Sequence, residues 1–136
     1  MASPLAFELV SPERLLVSMD AELVVVPGAE GTFGVMAGHV PMISTLKPGV
    51  IDVYETRPTI ARKVFVAGGF CEVTGDRCTV LAETAKPVED LDAAAIDQQI
   101  ANLTEDLQDA KTDSERTAAE HALAIAKAER AAAGRA

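Results

Sequence analysis

The fold is decided by the stretch Val25-Val26-Pro27-Gly28-Ala29-Glu30-Gly31-Thr32-Phe33-Gly34-Val35-Met36-Ala37-Gly38-His39-Val40-Pro41, in which an apolar segment ends at Pro27 and four glycines follow within eleven residues. Glycine permits positive φ and close backbone approach, so the stretch is predicted to be a folded turn system and not a slack linker. A phosphate-binding loop would end in Lys-Ser/Thr or open a helix, but the stretch contains no lysine and Met42-Ile43-Ser44 after it has no helical period. A nucleotide loop is therefore not expected. A hairpin system inside a β-sandwich fits the stretch well. Within it, Glu30 to Met36 is expected to form an apolar loop tip, which is either core filler or a contact surface.

Length and charge exclude several classes of protein. The chain has 136 residues, which suits one ordinary domain or two small ones. Its net charge of −9 argues against nucleic-acid binding, because phosphates require a basic surface. No apolar run approaches the roughly 20 residues of a membrane span, and no signal peptide is expected. Any membrane association is expected to be indirect, through another protein.

The composition changes at residue 87. All seven prolines, all five aromatic residues and eight of the nine glycines lie at or before this point, whereas the 49 residues after it contain fifteen alanines and no proline. A turn-rich β half thus gives way to a helical half, with Ala85-Lys86-Pro87-Val88 as the hinge. The predicted domains are 1–87 and 88–136, and the fold class is α+β.

Short alternating apolar segments predict strands throughout the first domain. Leu5, Phe7 and Leu9 alternate with more polar neighbours, which is the period of a half-buried strand. Gly68-Gly69 is expected to break one strand, and Thr74-Gly75-Asp76-Arg77 to form a hairpin turn. Eight to ten short strands at this spacing are typical of a sandwich or flattened barrel. The predicted strands cover 5–10, 14–19, 22–26, 39–46, 50–55, 60–67, 70–73 and 78–83.

The second domain is predicted to be an antiparallel pair of helices. Asp90 is a candidate N-cap, and Asp92 is favourable in the first turn. Thr112-Asp113-Ser114-Glu115 has the form of a capping box, so a second helix is expected from about Ser114 to Ala133. The apolar seams are Ile96, Ile100, Leu103, Leu107 and Ala110 on the first helix, and Ala119, Ala122, Leu123 and Ala126 on the second. The second seam is thin, so the hairpin is expected to be marginally stable and movable.

Charges orient this predicted hairpin. Residues 88–109 contain seven acids and no base, whereas the cations Lys127, Arg130 and Arg135 lie late in the second helix. An antiparallel arrangement would place Lys127 and Arg130 beside the acids at positions 90, 92 and 97. Exposed ion pairs of this kind contribute only about 0.2–1 kcal/mol each.

The remaining reactive side chains indicate no catalytic or metal site. His39 has no serine, cysteine or acid beside it in a nucleophile motif, so it is expected to be a structural or interface residue. The only other histidine is His121, and no metal-ligand spacing occurs. A turn at Gly75-Asp76 would set Cys71 and Cys78 diagonally across two strands, beyond the reach of an ordinary disulfide. Two buried free thiols are expected.

Several ordered motifs resemble the ε subunit of the bacterial F-type ATP synthase. The main one is P-G-x-E-G-x-F-G-V-M-x-G-H-x-P at 27–41, preceded by Phe7-Glu8-Leu9-Val10-Ser11-Pro12-Glu13. Leu46-Lys47-Pro48-Gly49, Gly68-Gly69-Phe70-Cys71-Glu72-Val73 and Val80-Leu81-Ala82-Glu83-Thr84-Ala85 also match. The resemblance is dense over residues 5 to about 86. It implies a ten-stranded β-sandwich followed by a two-helix hairpin.

The resemblance also implies a function without catalysis. The sandwich would clamp the rotor shaft γ onto the ring of membrane c subunits, so that torque from proton flow reaches the catalytic head. The complex would lie on the cytoplasmic face of the bacterial cell membrane, with this chain as a peripheral subunit. The matching contact residues are Glu30, Gly31, Phe33, Gly34, Gly38 and His39. A stand-alone β-sandwich binding module is the alternative, although it leaves the helical hairpin without a role.

The helical hairpin carries two further expectations from the resemblance. Extended along γ, it would contact α and β subunits and brake ATP hydrolysis, and Lys127, Arg130 and Arg135 would suit that contact. Some members of the family hold ATP through a motif of the form I/L-D-x-x-R-A. The matching stretch is Leu91-Asp92-Ala93-Ala94-Ala95-Ile96, in which Ala95 replaces the arginine. ATP binding is therefore expected to be weak or absent, and no other cofactor is expected.

Overall fold

The computed structural model of the chain describes residues 4–136. The chain forms two compact units, Met1–Pro87 and Val88–Ala136. The first unit consists of strands and the second of helices. Eight strands make up the first unit: β1 Leu5–Val10, β2 Leu15–Ala21, β3 Leu23–Gly28, β4 Gly31–Val35, β5 Met42–Thr45, β6 Gly49–Tyr54, β7 Arg62–Val73 and β8 Arg77–Pro87.

The strands are hydrogen-bonded in the order β2-β1-β8-β7-β6-β3-β4, and β5 also pairs with β7. All pairs are antiparallel except β1 with β8, which is parallel. The early part of β7 pairs with β6, and its late part, Phe70–Val73, pairs with β5. The strands form two layers, β5-β7-β8-β1-β2 and β8-β7-β6-β3-β4. Strands β7 and β8 contribute to both layers. The prediction of a β-sandwich followed by helices is confirmed.

The count of eight strands differs from the ten that the resemblance implies, and Gly68-Gly69 is the reason. Both glycines have positive φ, +74° and +101°, so β7 bends there without ending, and β8 continues beside it to Pro87. A Cβ on Gly69 would lie 1.8 Å from the carbonyl oxygen of Leu81, so only glycine fits the bend. Counting the halves of β7 and β8 separately gives ten strands. The expected break at Gly68-Gly69 is therefore corrected to a bend.

Alternate residues of the strands build the core between the two layers. Leu5, Phe7 and Leu9 of β1 are almost completely buried, as the period of two predicts. Facing residues of β3 and β6, among them Val24 and Ile51, are equally buried. Burial of each such side chain contributes about 1.5–3 kcal/mol.

The two cysteines lie in this core as the sequence predicts. Cys71 pairs with Val80 and Cys78 with Val73, so the cysteines are diagonal neighbours across β7 and β8. Both are free and buried, with their Sγ atoms 3.6 Å apart. The hydrogen bond with Cys71, together with burial, raises the pKa of the Cys78 thiol far above its ordinary value.

The helical unit contains α1, Ala93–Asp109, and α2, Asp113–Ala133, after a short 3-10 turn at Val88–Asp90. The N-cap of α1 is Asp92, whose carboxylate accepts the backbone N–H groups of Ala94 and Ala95 at 3.1 and 3.2 Å. The prediction of Asp90 as N-cap was therefore wrong by two residues, because Asp90 is part of the 3-10 turn.

The start and the end of α2 agree with prediction. The Thr112 hydroxyl accepts the N–H of Glu115 at 3.0 Å, as in a capping box. The Glu115 carboxylate reaches back to the N–H of Lys111, one residue before the cap, at 2.9 Å. Gly134 follows the last helical residue as the C-cap.

The two helices pack along the predicted seams. Of the predicted seams, Ile96, Ala119, Leu123 and Ala126 are buried, whereas Ala122 and the rest of the α1 seam are half-buried. An ion pair of 2.8 Å joins Arg130 of α2 to Asp97 of α1, so the end of the second helix lies beside the start of the first. The antiparallel hairpin is confirmed. Among the described residues, no helix is long and apolar enough to span a membrane.

Candidate functional site

The glycine-rich stretch forms a β-hairpin and the loop that follows it. Strands β3 and β4 pair from Val24–Val35 to Gly28–Gly31, so only Ala29 and Glu30 form the turn. Gly31 has a φ of +144°, a backbone angle that L-residues with a side chain rarely adopt. The N–H of Ala29 donates to the carbonyl oxygen of Thr45 at 2.8 Å and thereby ties the turn to the end of β5. About half of the stretch that was expected to form turns therefore belongs to strands β3 and β4.

The sequence predicted an apolar loop tip in this stretch, but the structure buries some of its apolar side chains and exposes others. Val35 is fully buried, and Phe33 is half-buried against the core. The Phe33 ring lies over Gly28, where a Cβ would be 2.8 Å from the ring atom Cε1. The apolar residues that do reach the surface are Met36, 40% exposed, and Val40, 74% exposed. Val40 was not among the predicted contact residues, although an apolar residue between His39 and Pro41 was a visible signal.

The loop 36–41 is held by backbone hydrogen bonds. Gly38, with φ +88°, donates its N–H to the carbonyl oxygen of Gly75 in the β7–β8 turn. The N–H of His39 donates to the carbonyl oxygen of Met36 at 3.1 Å. Nδ1 of His39 lies 2.7 Å from the carbonyl oxygen of Val40, which fits an Nδ1–H donor. Because residues 36–41 form a loop, β5 does not start at residue 39, where the sequence predicted it. The loop also gives His39 a structural partner.

The six residues predicted as the contact site are spread from the β3–β4 turn through β4 to the following loop and do not form a single cluster. Glu30 and Gly31 are at the turn end of β4, whereas Gly38 and His39 follow its other end. The four steps from Gly31 to Val35 separate the two ends of β4 by about 13 Å, at roughly 3.3 Å per residue. Phe33 and Gly34 lie between the ends and, as neighbours in a strand, point to opposite faces. Because Phe33 packs against the core, the six residues do not share one face.

A groove of about 730 Å³ adjoins Met36. Its lining includes the acids Asp20, Glu22 and Glu55, and Arg57. The Glu22 carboxylate accepts the backbone N–H of Arg57 at 2.8 Å and its Nε–H at 2.9 Å. Both hydrogen bonds lower the pKa of Glu22, and the one from the backbone N–H has the larger effect. Over residues 4–136 no group of three or more His, Cys, Asp or Glu side chains is placed to hold a metal ion.

The predicted cationic residues of the hairpin differ in their availability. Lys127 is exposed on α2. Arg130 is held by Asp97. Arg135 is exposed beyond the end of α2 and is engaged within the chain. Of the three, Lys127 is therefore the readiest to meet another molecule in this arrangement of the hairpin.

The two units match two families of ATP synthase domains. Residues 4–88 match the beta-sandwich domain of the ATP synthase Delta/Epsilon chain, and residues 92–136 match the C-terminal domain of the ATP synthase epsilon chain. The protein therefore belongs to the ATP synthase epsilon chain family, as a stalk subunit that is not the catalytic one. Because the match includes the helical unit, the alternative of a stand-alone β-sandwich module is set aside.

Relatives in this family are similar over most of their length. The ATP synthase epsilon chain of Rhodospirillum centenum is 55% identical over 132 residues, which cover 94% of this chain and 90% of the relative. That of Parvibaculum lavamentivorans is 52% identical, covering 88% and 89%. A chain in the cryo-EM structure of the Euglena gracilis mitochondrial ATP synthase has the same fold, with a TM-score of 0.85 at 22% identity, covering 97% of this chain and 82% of that one.

Proposed function

We propose that the strand unit clamps the shaft subunit γ onto the c ring of an F-type ATP synthase and so passes rotation to the catalytic head. The contact would run along Glu30, Gly31, Phe33, Gly34, Gly38 and His39. The observation that carries the proposal is the pair of exposed apolar side chains, Met36 and Val40, in a loop that Gly75 holds in place. Exposed apolar residues on a fixed loop are typical of a contact surface. The structure from Euglena with the same fold is described as containing F1 and the c ring, which supports this partner class.

We further propose that the helical unit brakes ATP hydrolysis by contacting the α and β subunits. Lys127 provides an exposed cation for this contact, and Arg130 would join it once its ion pair with Asp97 opens. Arg135 would extend the cationic surface beyond the end of α2. The resemblance implies that the partner loops are acidic. The acids of α1 do not suit such loops, so α2 is the helix that would make the contact.

We place the protein at the cytoplasmic face of the bacterial cell membrane, as a peripheral subunit bound only through the complex. No cofactor enters the proposal. ATP binding by the hairpin is expected to be weak or absent, because Ala95 stands where the motif has arginine, and the Asp92 carboxylate already caps α1. Losing a guanidinium removes a strong charge-assisted bond to a phosphate.

The test is a complex reconstituted with residues 1–87 alone. ATP hydrolysis and ATP-driven proton pumping are measured beside the complex with the full-length protein. We expect pumping per ATP to survive, because the proposed γ and c-ring contacts are retained, and hydrolysis to rise, because Lys127 and Arg130 are removed. Loss of pumping by a fragment that is folded and bound would show that the hairpin belongs to the torque path.

A point variant tests the contact loop directly. Val40→Ser removes the most exposed apolar side chain of the loop without touching the core, so the protein should fold with an unchanged melting temperature. We expect weaker retention of this subunit in the purified complex and lower pumping per ATP. Equal retention and pumping with Val40→Ser would remove the loop from the contact.

A further inference from the structure

Two cysteines in the core of the strand unit lie outside the contact loop, residues 36–41, and have no part in the proposed contact. Cys71 of β7 and Cys78 of β8 are completely buried, and their Sγ atoms lie 3.6 Å apart. Cys71 pairs with Val80 and Cys78 with Val73, so the two side chains project from the same face of the ladder. They lean toward one another, which leaves a gap of about 1.6 Å to close before the sulfurs reach the length of a disulfide bond.

The hydrogen bond between the two sulfurs makes the thiols chemically unequal. This bond lowers the pKa of the Cys71 thiol, against the opposite effect of burial. The same bond raises the pKa of the Cys78 thiol, and burial raises it further. Cys71 is therefore the sulfur that becomes a thiolate, and Cys78 is the sulfur that keeps its proton. An attacking cysteine and a resolving cysteine stand in this relationship.

The thiol pair adjoins both anchors of the contact loop. Cys78 belongs to the residue pair that closes the β7–β8 ladder at its turn, and the carbonyl oxygen of Gly75 in this turn accepts the N–H of Gly38. On the other side of β7, Ser44 of β5 is the register partner of Cys71. Strand β5 begins directly after the contact loop. A movement of the thiol pair is therefore expected to reach the loop.

Strand β5 provides a route by which a small molecule could reach the pair. It has four residues, and among the described strands it forms a ladder with β7 alone. Short edge strands with few hydrogen bonds open locally at low cost in free energy, and loss of β5 would uncover Cys71. A hydroperoxide needs a smaller opening than a bulky thiol reagent does. Oxidation of the pair is therefore compatible with slow labelling of the native protein.

We propose that Cys71 and Cys78 form a disulfide when a hydroperoxide oxidises them, and that this disulfide loosens the contact loop. The Cys71 thiolate attacks the terminal oxygen of the hydroperoxide. An S–O bond forms, the O–O bond breaks, and the leaving oxygen takes up the thiol proton to depart as an alcohol, or as water from hydrogen peroxide. Cys78 then attacks the sulfenic sulfur: the S–S bond forms, the S–O bond breaks, and the hydroxide leaves with the Cys78 proton as water. Two electrons pass from the thiol pair to the hydroperoxide.

Closing the gap between the sulfurs should displace the β7–β8 turn. Diagonal backbone positions are too far apart for an unstrained disulfide, so β7 and β8 must shift near Cys78 before the bond closes. This shift would move the Gly75 carbonyl oxygen away from the N–H of Gly38 and free one anchor of the contact loop. Reduction by a thiol would restore it. The consequence for the complex rests on the proposed function, which assigns the loop to the γ and c-ring contact.

Peptide mapping of the free subunit tests the bond. Trypsin cleaves after Arg77, between the two cysteines, so the peptides 64–77 and 78–111 stay linked only when the disulfide is present. After hydrogen peroxide treatment of the native protein we expect linked peptides within a monomer, and an intact mass lower by two hydrogen atoms. Cys78→Ala is the matched control, which should give no linked peptides, and Cys71→Ala serves if that variant does not fold. Separate peptides from the wild type, or a sulfinic acid in place of the disulfide, overturn the inference.

Amide exchange and reconstitution test the effect on the loop. In the oxidised free subunit the Gly38 amide should exchange about fivefold faster, as expected when one backbone hydrogen bond is lost, and dithiothreitol should reverse the change. Unchanged exchange in the presence of the disulfide overturns the proposed coupling. The oxidised subunit should also be retained less in the reconstituted complex than peroxide-treated Cys78→Ala, which undergoes the same methionine oxidation. Equal retention of an oxidised subunit whose Gly38 exchange has risen supports the redox switch and removes the loop from the proposed contact.

Discussion

Replacing Asp97 with asparagine should loosen the helical hairpin by a calculable amount. The pair between Arg130 Nε and Asp97 Oδ1 is 2.8 Å long and links α1 to α2, with side chains 41% and 59% exposed. Exposed pairs of this kind contribute about 0.2–1 kcal/mol. About 1.4 kcal/mol corresponds to a factor of ten in an equilibrium constant. The equilibrium constant for separating α2 from α1 should therefore rise about 1.4- to 5-fold.

Amide hydrogen exchange of the α2 peptides measures this change, since exchange there reports the free energy of local opening. The control is Glu105→Gln, which removes one exposed negative charge from the same helix. The effect of Asp97→Asn should also shrink as salt screens the pair. Exchange in Asp97→Asn no faster than in Glu105→Gln would refute the reasoning, as would an acceleration far beyond about fivefold, because an exposed pair cannot supply it. In the complex, the freed Arg130 should lower the rate of ATP hydrolysis if the proposed brake operates.

The glycines, the capped helix and the buried thiols each give a further prediction. Gly31→Ala should lower the free energy of unfolding by about 1–2 kcal/mol because Gly31 has a positive φ, and Gly34→Ala should lower it less because the φ of Gly34 is not positive. Equal losses of the two variants in urea denaturation would contradict this. Calorimetry should detect no micromolar ATP binding, since Asp92 is occupied as a helix cap; a micromolar affinity would refute the expectation. Cys71 and Cys78 should resist thiol reagents in the native protein and react in denaturant, and rapid native labelling would show that the core opens readily.

Local signals predicted most of the fold. The alternation of Leu5, Phe7 and Leu9 identifies β1 because burial of one face imposes a period of two. The capping box at Thr112 marks the start of α2 because its hydrogen bonds lie within four residues. The diagonal placement of Cys71 and Cys78 followed from the position of one tight turn.

Features that depend on distant partners were not predicted. Strand β4 contains Gly31 and Gly34, which have low β-propensity, and it exists because it pairs with β3. Gly68-Gly69 resembles a break in sequence, yet β8 pairs with both halves of β7 and holds them in register. In each case tertiary pairing overrides local preference.

The site was predicted in position but not in detail. The sequence identified the stretch 27–41, since its glycines and apolar residues are unusual for a surface loop. It did not distinguish Phe33, which packs on the core, from Val40, which is exposed, because this depends on which strand face each residue occupies.

The bend at Gly68-Gly69 has a mechanical consequence. Strands β7 and β8 run on through both layers, so the layers are joined by unbroken polypeptide as well as by packed side chains. Packed surfaces can slide past one another under shear, whereas strands shared by both layers must change backbone dihedrals or lose ladder hydrogen bonds before the layers can slide. A twisting load on one layer therefore reaches the other along two adjacent strands, and the sandwich responds as one stiff block and not as two plates.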